Sequence, residues 1–420
     1  MSAIRRFMAA IDGVSGLGAA FLKAKGGFKA RLAAVLGAAA GQRNAFAVLR
    51  FAQPRLGLGV NLVKPYPAAR SLLLTTAADF REVIARQADF EVVYGPRMRK
   101  LTGGRDFFLG LQDGPHYRRD TAAMRAIVQP DDLEPVLAMA RAEAAAALQG
   151  EEVDLPPMLS ARIPARMVQD YFGVAMEREQ LIADATLLFH YLFSDLGADP
   201  KVEAEAMAAK DRVNAAIDAS VATAGPETLL GRAVAAGQAG EAAFDADGVR
   251  ANIIGILIGA IPTLSKAACF AIDELLRRPA ELAKVRALAA AGDEAGVAGY
   301  LWEALRFNPI SPILYRRTPA DVRLGGDDVL AGTMVLASNL SAMFDEQAVP
   351  NPNAFRAPRP WETYALWGEG LHLCWGDRIN QAILPAMLTP LLAKPGLRAL
   401  APPDGEGTPF PRHYRLRFEA

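Results

Sequence analysis

The apolar pattern along this chain reads mainly as helices joined by short loops. Predicted helices cover 130–149, 156–173, 176–195 and 200–223, and abundant alanine favours that state. The longest apolar helix is expected over 245–278, where Asp247-Gly-Val-Arg-Ala-Asn leads into Ile253-Ile-Gly-Ile-Leu-Ile-Gly-Ala-Ile-Pro-Thr263. Another is read over 294–308. Strand signals are few. Ser71-Leu-Leu-Leu-Thr75 reads as a strand before a helix starting near Ala77, and Gly325-Gly326 marks a hairpin. Residues 397–418 read as a terminal hairpin. Residues 92–114, with Gly95, Pro96, Gly103, Gly104 and Gly110, read as a loop region. Asp113 and Pro115 suit a helix cap and a first helical turn. Gly197 to Pro200 gives the break of a mobile lid. A helix is expected from Gly376 on, opened by Arg378, with Pro385 kinking or stopping it early. The fold class is therefore mainly α with a small β part.

Composition narrows this picture. Hydrophobic residues are 52% of the 420, ample for a core. Lys+Arg 46 and Asp+Glu 46 cancel, so there is no positive field for non-specific nucleic-acid binding. Nothing inside looks like a linker. The expected organisation is a basic N-terminal helical extension, 1–60, and a single domain, 61–420. In the first fifty residues Arg5, Arg6, Lys23, Lys25, Lys29, Arg31, Arg43 and Arg50 face Asp12 alone. Such a segment is either a solvated extension or a membrane-surface contact. Arg5-Arg6 is followed by Asp12 and glycines, which excludes a secretory signal. No run reaches the length expected of a membrane span. Cys269 and Cys374 lie far apart and form no C-x-x-C, so a disulfide framework is not expected and a reduced cytoplasm fits.

Candidate chemistry concentrates in Trp367-Gly-Glu-Gly-Leu-His372-Leu-Cys374-Trp-Gly376. A thiolate can ligate a soft metal or haem iron, and the start of a helix favours its negative charge. Gly368, Gly370 and Gly376 let backbone N–H groups turn toward the sulfur. A buried free cysteine in a glycine loop is the plain alternative. The pattern resembles the haem-binding loop of the cytochrome P-450 family, F-G-x-G-x-H-x-C-x-G, with Trp367 for the usual phenylalanine. That resemblance implies the cytochrome P-450 fold, with haem b (iron protoporphyrin IX) between the central helix and the Cys loop. It also implies that Cys374 is the axial iron ligand.

Further stretches resemble the same family from about residue 70 to the end. Tyr300-Leu-Trp-Glu303-Ala-Leu-Arg306 carries an E-x-x-R whose members share a helix face. Arg359, in Pro350-Asn-Pro-Asn-Ala-Phe355-Arg-Ala-Pro-Arg359-Pro, is the implied third member of a triad supporting the Cys loop. The resemblance selects Arg316, five before Asp321, and His372 as haem propionate partners; a loop histidine bonding backbone is the alternative for His372. Asp113-Gly-Pro-His-Tyr-Arg-Arg119 resembles a further propionate segment imperfectly. Arg119 is taken from it, with Arg118 and Arg125 still available and a basic docking patch for an acidic electron-transfer partner as the alternative. Phe107, Phe108 and Leu109 are pocket walls or loop anchors. Phe189, Tyr191 and Phe193 are substrate roof or core. Ile310, Ile313 and Leu314 are further pocket candidates.

The central helix departs from the family's G-G/A-x-D/E-T signature. It reads Gly259-Ala260-Ile261-Pro262-Thr263, so Pro262 stands where the acid of the acid–alcohol pair is expected. Gly259 and Ala260 leave room for a flat cofactor, and Thr263 and Ser265 remain as hydroxyl donors. Proline has no proton to give and removes the amide that would bond the Ile258 carbonyl, so a kink is expected. Lys266 is read as solvated or paired, and Cys269 as a small core residue.

The function implied is a haem-thiolate monooxygenase inserting oxygen into a small hydrophobic substrate such as a lipid, terpenoid or aromatic. No flavin or nucleotide motif is evident, so electrons are expected from a separate ferredoxin/reductase or from peroxide. Pro262 sets two alternatives beside it: a peroxide-dependent peroxygenase, or a hydroperoxide isomerase or dehydratase. A non-catalytic haem sensor is a third.

Overall fold

A computed structural model describes residues 2–419. Among them the strands are β1 (Arg55–Leu58), β2 (Arg70–Leu74), β3 (Glu152–Asp154), β4 (Leu314–Arg317), β5 (Val322–Leu324), β6 (Asp327–Val329), β7 (Thr333–Ala337), β8 (Arg398–Ala399) and β9 (Arg415–Arg417). Helices form most of the remainder, as expected. The chain divides into two compact units. The first takes in the chain up to Val63, then Pro67–Glu91 and Gly299–Cys374; the second takes in Lys64–Tyr66, Val92–Ala298 and the chain from Trp375.

The first unit is built on a sheet of order β1-β2-β7-β4. β2 runs parallel to β7, with Leu72 opposite Val335, and β4 runs antiparallel to it, with Arg316 opposite Val335. Every residue of β7 is buried, as a central strand demands. Leu74, Phe80, Val83, Ile84, Phe90, Val335 and Phe344 close the core beneath it. Thr76 caps the helix Ala77–Ala85 by accepting from Asp79 N at 3.1 Å. β5 and β6 join through Gly325 (φ 53°) and Gly326 (φ 94°), the left-handed pair that a two-residue hairpin needs. The N-terminal helix, Ser2–Lys23, packs on Ala39–Ala52. Gly13 makes that approach possible, because a Cβ there would lie 2.7 Å from the Asn44 carbonyl oxygen.

The second unit surrounds the central helix, Ala246–Leu276, capped by Asp245, which accepts from Gly248 N at 2.8 Å. This helix corrects the expectation that no run could span a membrane. It is long and apolar enough by length and composition, yet 67% of its most apolar window is buried inside the protein. It also runs unbroken through Pro262. A proline inside a helix costs about 3 kcal/mol. Ile253, Ile254, Leu257, Ile258, Ile261 and Leu264 are all at 2% exposure or less, and two such side chains offset that cost at about 1.5–3 kcal/mol each.

Other expectations need correction here. Residues 92–114 contain a seven-residue helix, Gly95–Leu101. The helix Pro115–Ile127 is capped by Gly114 without a side-chain bond, while Asp113 pairs with Arg118. Pro385 does not stop the last helix, which runs Asp377–Ala393 through both Pro385 and Pro390 because Ile383, Leu384, Met387, Leu388 and Leu391 hold it in the core. Residues 156–173 wind as wider π-type turns on either side of Arg162–Met167. The terminal hairpin, β8 with β9, gains β3 as a third strand.

Candidate functional site

The first unit holds the Cys loop and the charge cluster behind it. Glu303 is fully buried, and its Oε2 and Oε1 accept from Arg306 Nε and Nη2 at 2.9 and 2.8 Å. Arg359 Nε donates to Glu303 Oε1 at 3.0 Å. The spacing therefore does bring Glu303, Arg306 and Arg359 together. The two guanidinium groups reach onward to the carbonyls of Met343 and Pro352 (Arg306) and of Pro350, Asn351 and Ala354 (Arg359). One carboxylate thus fixes the irregular segment 343–359 that leads into the Cys loop. Burial lowers the Arg306 pKa, opposed by its bond to Glu303. The sequence reading missed Tyr364. Its hydroxyl accepts from Arg359 N at 3.1 Å and lies 3.5 Å from Glu303 Oε2, and burial pushes its pKa up to about 12.

Cys374 is half-buried and free of any disulfide. Its N–H donates to the Trp367 carbonyl at 2.9 Å, and Leu373 N to Gly370 O at 3.1 Å, so the loop closes on itself. Gly368 and Gly370 hold φ of 71° and 70°, where a side chain would be strained. Gly376 does not; its φ is −87°. Trp367 stacks on Trp361 at 5.4 Å and meets Trp302 edge-on at 5.1 Å, so the aromatic at this position is a packing wedge.

Arg316 and His372 are neighbours. Arg316 lies on β4, is 4% exposed, and donates from Nη1 to its own strand at Tyr315 O. Burial, then the Arg316 charge, pushes the His372 pKa down to about 4, so the ring is neutral at pH 7. Ile313 and Leu314 are half-buried and pack on the sheet's core cluster.

The second unit holds the central-helix residues. Most of that helix is buried, but Ile256, Gly259, Ala260 and Thr263 are half-exposed. Their spacing of three and four puts them on one face. A Cβ on Gly259 would meet nothing within 4 Å. Within 251–269 this stripe, two of its four residues small, is the only part of the helix that packing does not bury. The Thr263 hydroxyl donates back to the Gly259 carbonyl. Ser265 is removed from the stripe. It is 6% exposed and shares a hydrogen bond of 3.1 Å with Ser160 on the opposite side. Cys269 is fully buried, which raises its thiol pKa, as expected of a core residue. Lys266 differs from expectation. It is neither solvated nor paired with an acid, but 9% exposed between the rings of Phe270 and Phe410.

Of the remaining candidates, Phe107 and Phe108 are at 1% and 2% exposure. The Phe107 ring lies where a Cβ on Gly255 would be, at 2.5 Å, and Phe108 packs on Trp375. Phe189 packs on Phe193 at 4.7 Å and on Phe410 at 5.6 Å. Arg119 is tied to Asp120 by a 2.8 Å bond, and Arg125 instead lies over Trp375, the residue after Cys374, at 5.5 Å.

The cytochrome P450 family profile matches residues 297–394, which include both the Glu303 cluster and the Cys loop. The chain is 31% identical over 153 residues to the C-19 steroid 1alpha-hydroxylase of Sorangium cellulosum, covering 36% of this chain and 38% of that protein. It is 26% identical to cytochrome P450 105A3 of Streptomyces carbophilus, covering 81% of each. The match to the steroid hydroxylase thus spans well under half of that relative's length. In three dimensions it resembles P450BioI, crystallised with hexadec-9Z-enoic acid ligated acyl carrier protein. The TM-score is 0.77 at 16% identity, over 90% of this chain and 98% of that one.

Proposed function

Because the chain belongs to the cytochrome P450 family, we propose that it is a haem-thiolate monooxygenase acting on a small hydrophobic substrate. The cofactor of that family is haem b, and the residues present fit it. Cys374 offers a soft donor in a loop that turns through two left-handed glycines, Gly368 and Gly370. Arg316 and His372 offer adjacent N–H donors suited to a carboxylate, and they would hold a propionate. When bound, the haem supplies the redox-active iron at which oxygen is activated and to which Cys374 gives electron density.

The chain's own part is support and shape, with one hydroxyl on the open face. Glu303, Arg306 and Arg359 brace the backbone that leads into the thiolate loop. Gly259 and Ala260 keep the central helix open, and Thr263 places a hydroxyl on that open face. The observation that carries the reading is the self-closed loop at Cys374 with the fully buried Glu303 cluster behind it. Adding carbon monoxide to the reduced holoprotein should give the strongly red-shifted Soret absorption of a thiolate-bound ferrous haem; its absence from intact protein overturns the reading.

One observation favours a second reading. Pro262 has no proton to deliver, Ser265 is turned away, and the Thr263 hydroxyl proton is engaged by Gly259 O. A substrate that already carries oxygen at the peroxide level needs less of that relay, which supports a peroxygenase or a hydroperoxide isomerase. Parallel reactions with hydrogen peroxide and with a ferredoxin system separate the two. Product from peroxide alone selects the second reading, whereas bleaching by peroxide with product only from ferredoxin selects the first. Neither cysteine forms a disulfide among the described residues, which suits a reducing compartment such as the cytoplasm.

A further inference from the structure

Lys266 is the most deeply buried ammonium that the oxygenase reading does not use. It stands one turn past Thr263, on the flank of the open stripe. Its Nζ lies 5.3 Å from the centre of Phe270 and 5.1 Å from that of Phe410, and it makes no ion pair among the described residues. Ring faces compensate a cation only in part, and a buried charge without an anion is costly. Burial accordingly lowers its pKa to about 8. A second polar atom shares the place. His190 meets the same Phe410 ring edge-on at 6.3 Å, and its buried Nδ1 has no hydrogen-bond partner among the described residues. The neighbouring Arg97 is already matched by Asp195 at 2.7 Å, so it leaves the local charge at a single positive unit.

We propose that Lys266, with His190 beside it, receives the carboxylate of a hydrophobic monocarboxylic acid whose apolar body lies among Phe189, Phe193, Phe270 and Phe410. A monoanion matches the one uncompensated cation, whereas a phosphate monoester would bring a charge the site does not balance. The phenyl rings suit an alkyl or aryl tail and offer nothing to a polar one. This deepens the oxygenase reading by naming its substrate class.

The test uses purified holoprotein and calorimetric titration with dodecanoic acid and methyl dodecanoate, which differ in the anionic end. The acid should bind at least about tenfold tighter than the ester, the margin of one charge-assisted bond. Lys266→Met should remove that margin and leave ester affinity unchanged, and Lys266→Arg should restore part of it. Equal binding of acid and ester, or an intact margin in Lys266→Met, overturns the proposal. The carbon monoxide spectrum of each variant reports separately on the haem, so a normal spectrum with no margin sinks this inference and not the oxygenase reading.

A different observation carries a second inference, about the N-terminal helix. Its inner face is fixed to the first unit through buried Ala9, Ala10 and Gly13. The opposite face should be polar and is not. Ile4, Phe7, Met8, Ile11 and Val14 follow helical spacing and are 44–68% exposed, and Phe28 beyond the helix is 70% exposed. Exposed Arg5, Lys23, Lys25 and Lys29 flank them, against Asp12 alone. An apolar outward stripe rimmed by cations fits the headgroup region of an anionic bilayer. We infer that this face docks on such a membrane surface. Full-length protein should float with vesicles containing phosphatidylglycerol and much less with pure phosphatidylcholine, and added salt should weaken the binding. Ile11→Asp with Phe28→Asp should cut it at least about tenfold at unchanged melting temperature. Absence of vesicle binding, or a solution dimer that the same substitutions disperse, overturns it; the dimer would make this face a contact between copies.

Discussion

Glu303 gathers two arginines, a backbone N–H and a tyrosine hydroxyl around one carboxylate with no access to water. Removing it strands two buried cations. Glu303→Ala is therefore expected to lose about 3–5 kcal/mol of stability, and, since the segment it fixes leads into Cys374, to purify without haem. Urea unfolding and the haem-to-protein absorbance ratio check both parts, and normally loaded, stable protein would show that the triad does not support the Cys loop. Lys266 is the reverse case, a residue that costs stability. Its pKa falls from 10.5 to about 8, and at about 1.4 kcal/mol per unit that is a penalty of about 3 kcal/mol, reduced by whatever the two rings return. Below pH 8 both folded and unfolded chains hold the proton and the penalty is complete. Between about pH 8 and 10.5 the folded chain has released it while the unfolded chain has not, so stability rises with pH. Lys266→Met should therefore be more stable than the native protein at pH 7 without ligand, and the gap should close toward pH 10 in denaturant unfolding.

At the scale of an element, the central helix shows how much burial can override propensity. It absorbs Pro262 without a break because the apolar side chains around it are sealed. Pro262→Ala restores a donor for the Ile258 carbonyl and should raise stability by up to about 3 kcal/mol, seen as a higher melting temperature. Gly259→Leu tests the open stripe. A Cβ there meets nothing within 4 Å, so the folded chain should tolerate the change within about 1 kcal/mol while haem content or ligand affinity falls. A large loss of stability would show the space is not available. The early stop offered at Pro385 did not occur, for the same reason that the Pro262 helix is continuous: proline's local cost was visible, and the opposing burial was not.

At the scale of the whole molecule, zero net charge hides an uneven distribution. Three of the eight N-terminal cations turn inward, Arg6 to Asp345, Arg50 to Glu346 and Arg43 onto Phe307 and Phe344, which leaves the others on the surface. The fold also places Cys374, Arg316 and His372 in one unit. A cofactor that binds only the folded chain stabilises it by about 4 kcal/mol at a thousandfold excess over its Kd. Stripping haem should accordingly lower the melting temperature by several degrees, and readdition should recover it; identical melting with and without haem would argue against a site formed by folding.

What the sequence decided by itself is what local backbone chemistry decides. Gly325-Gly326 marks a hairpin turn, the strand before Ala77 is apolar and short, and Gly368 and Gly370 let the loop before Cys374 take left-handed turns. The three-residue spacing of Glu303 and Arg306 puts them on one helical face whatever surrounds them. Only the tertiary structure decided that Ser265 turns to Ser160 and away from the stripe, that Tyr364 joins the Glu303 cluster, and that Lys266 is shut between Phe270 and Phe410. Each of those outcomes brings together segments 61 or more residues apart. Burial is a sum over neighbours that only the folded chain supplies.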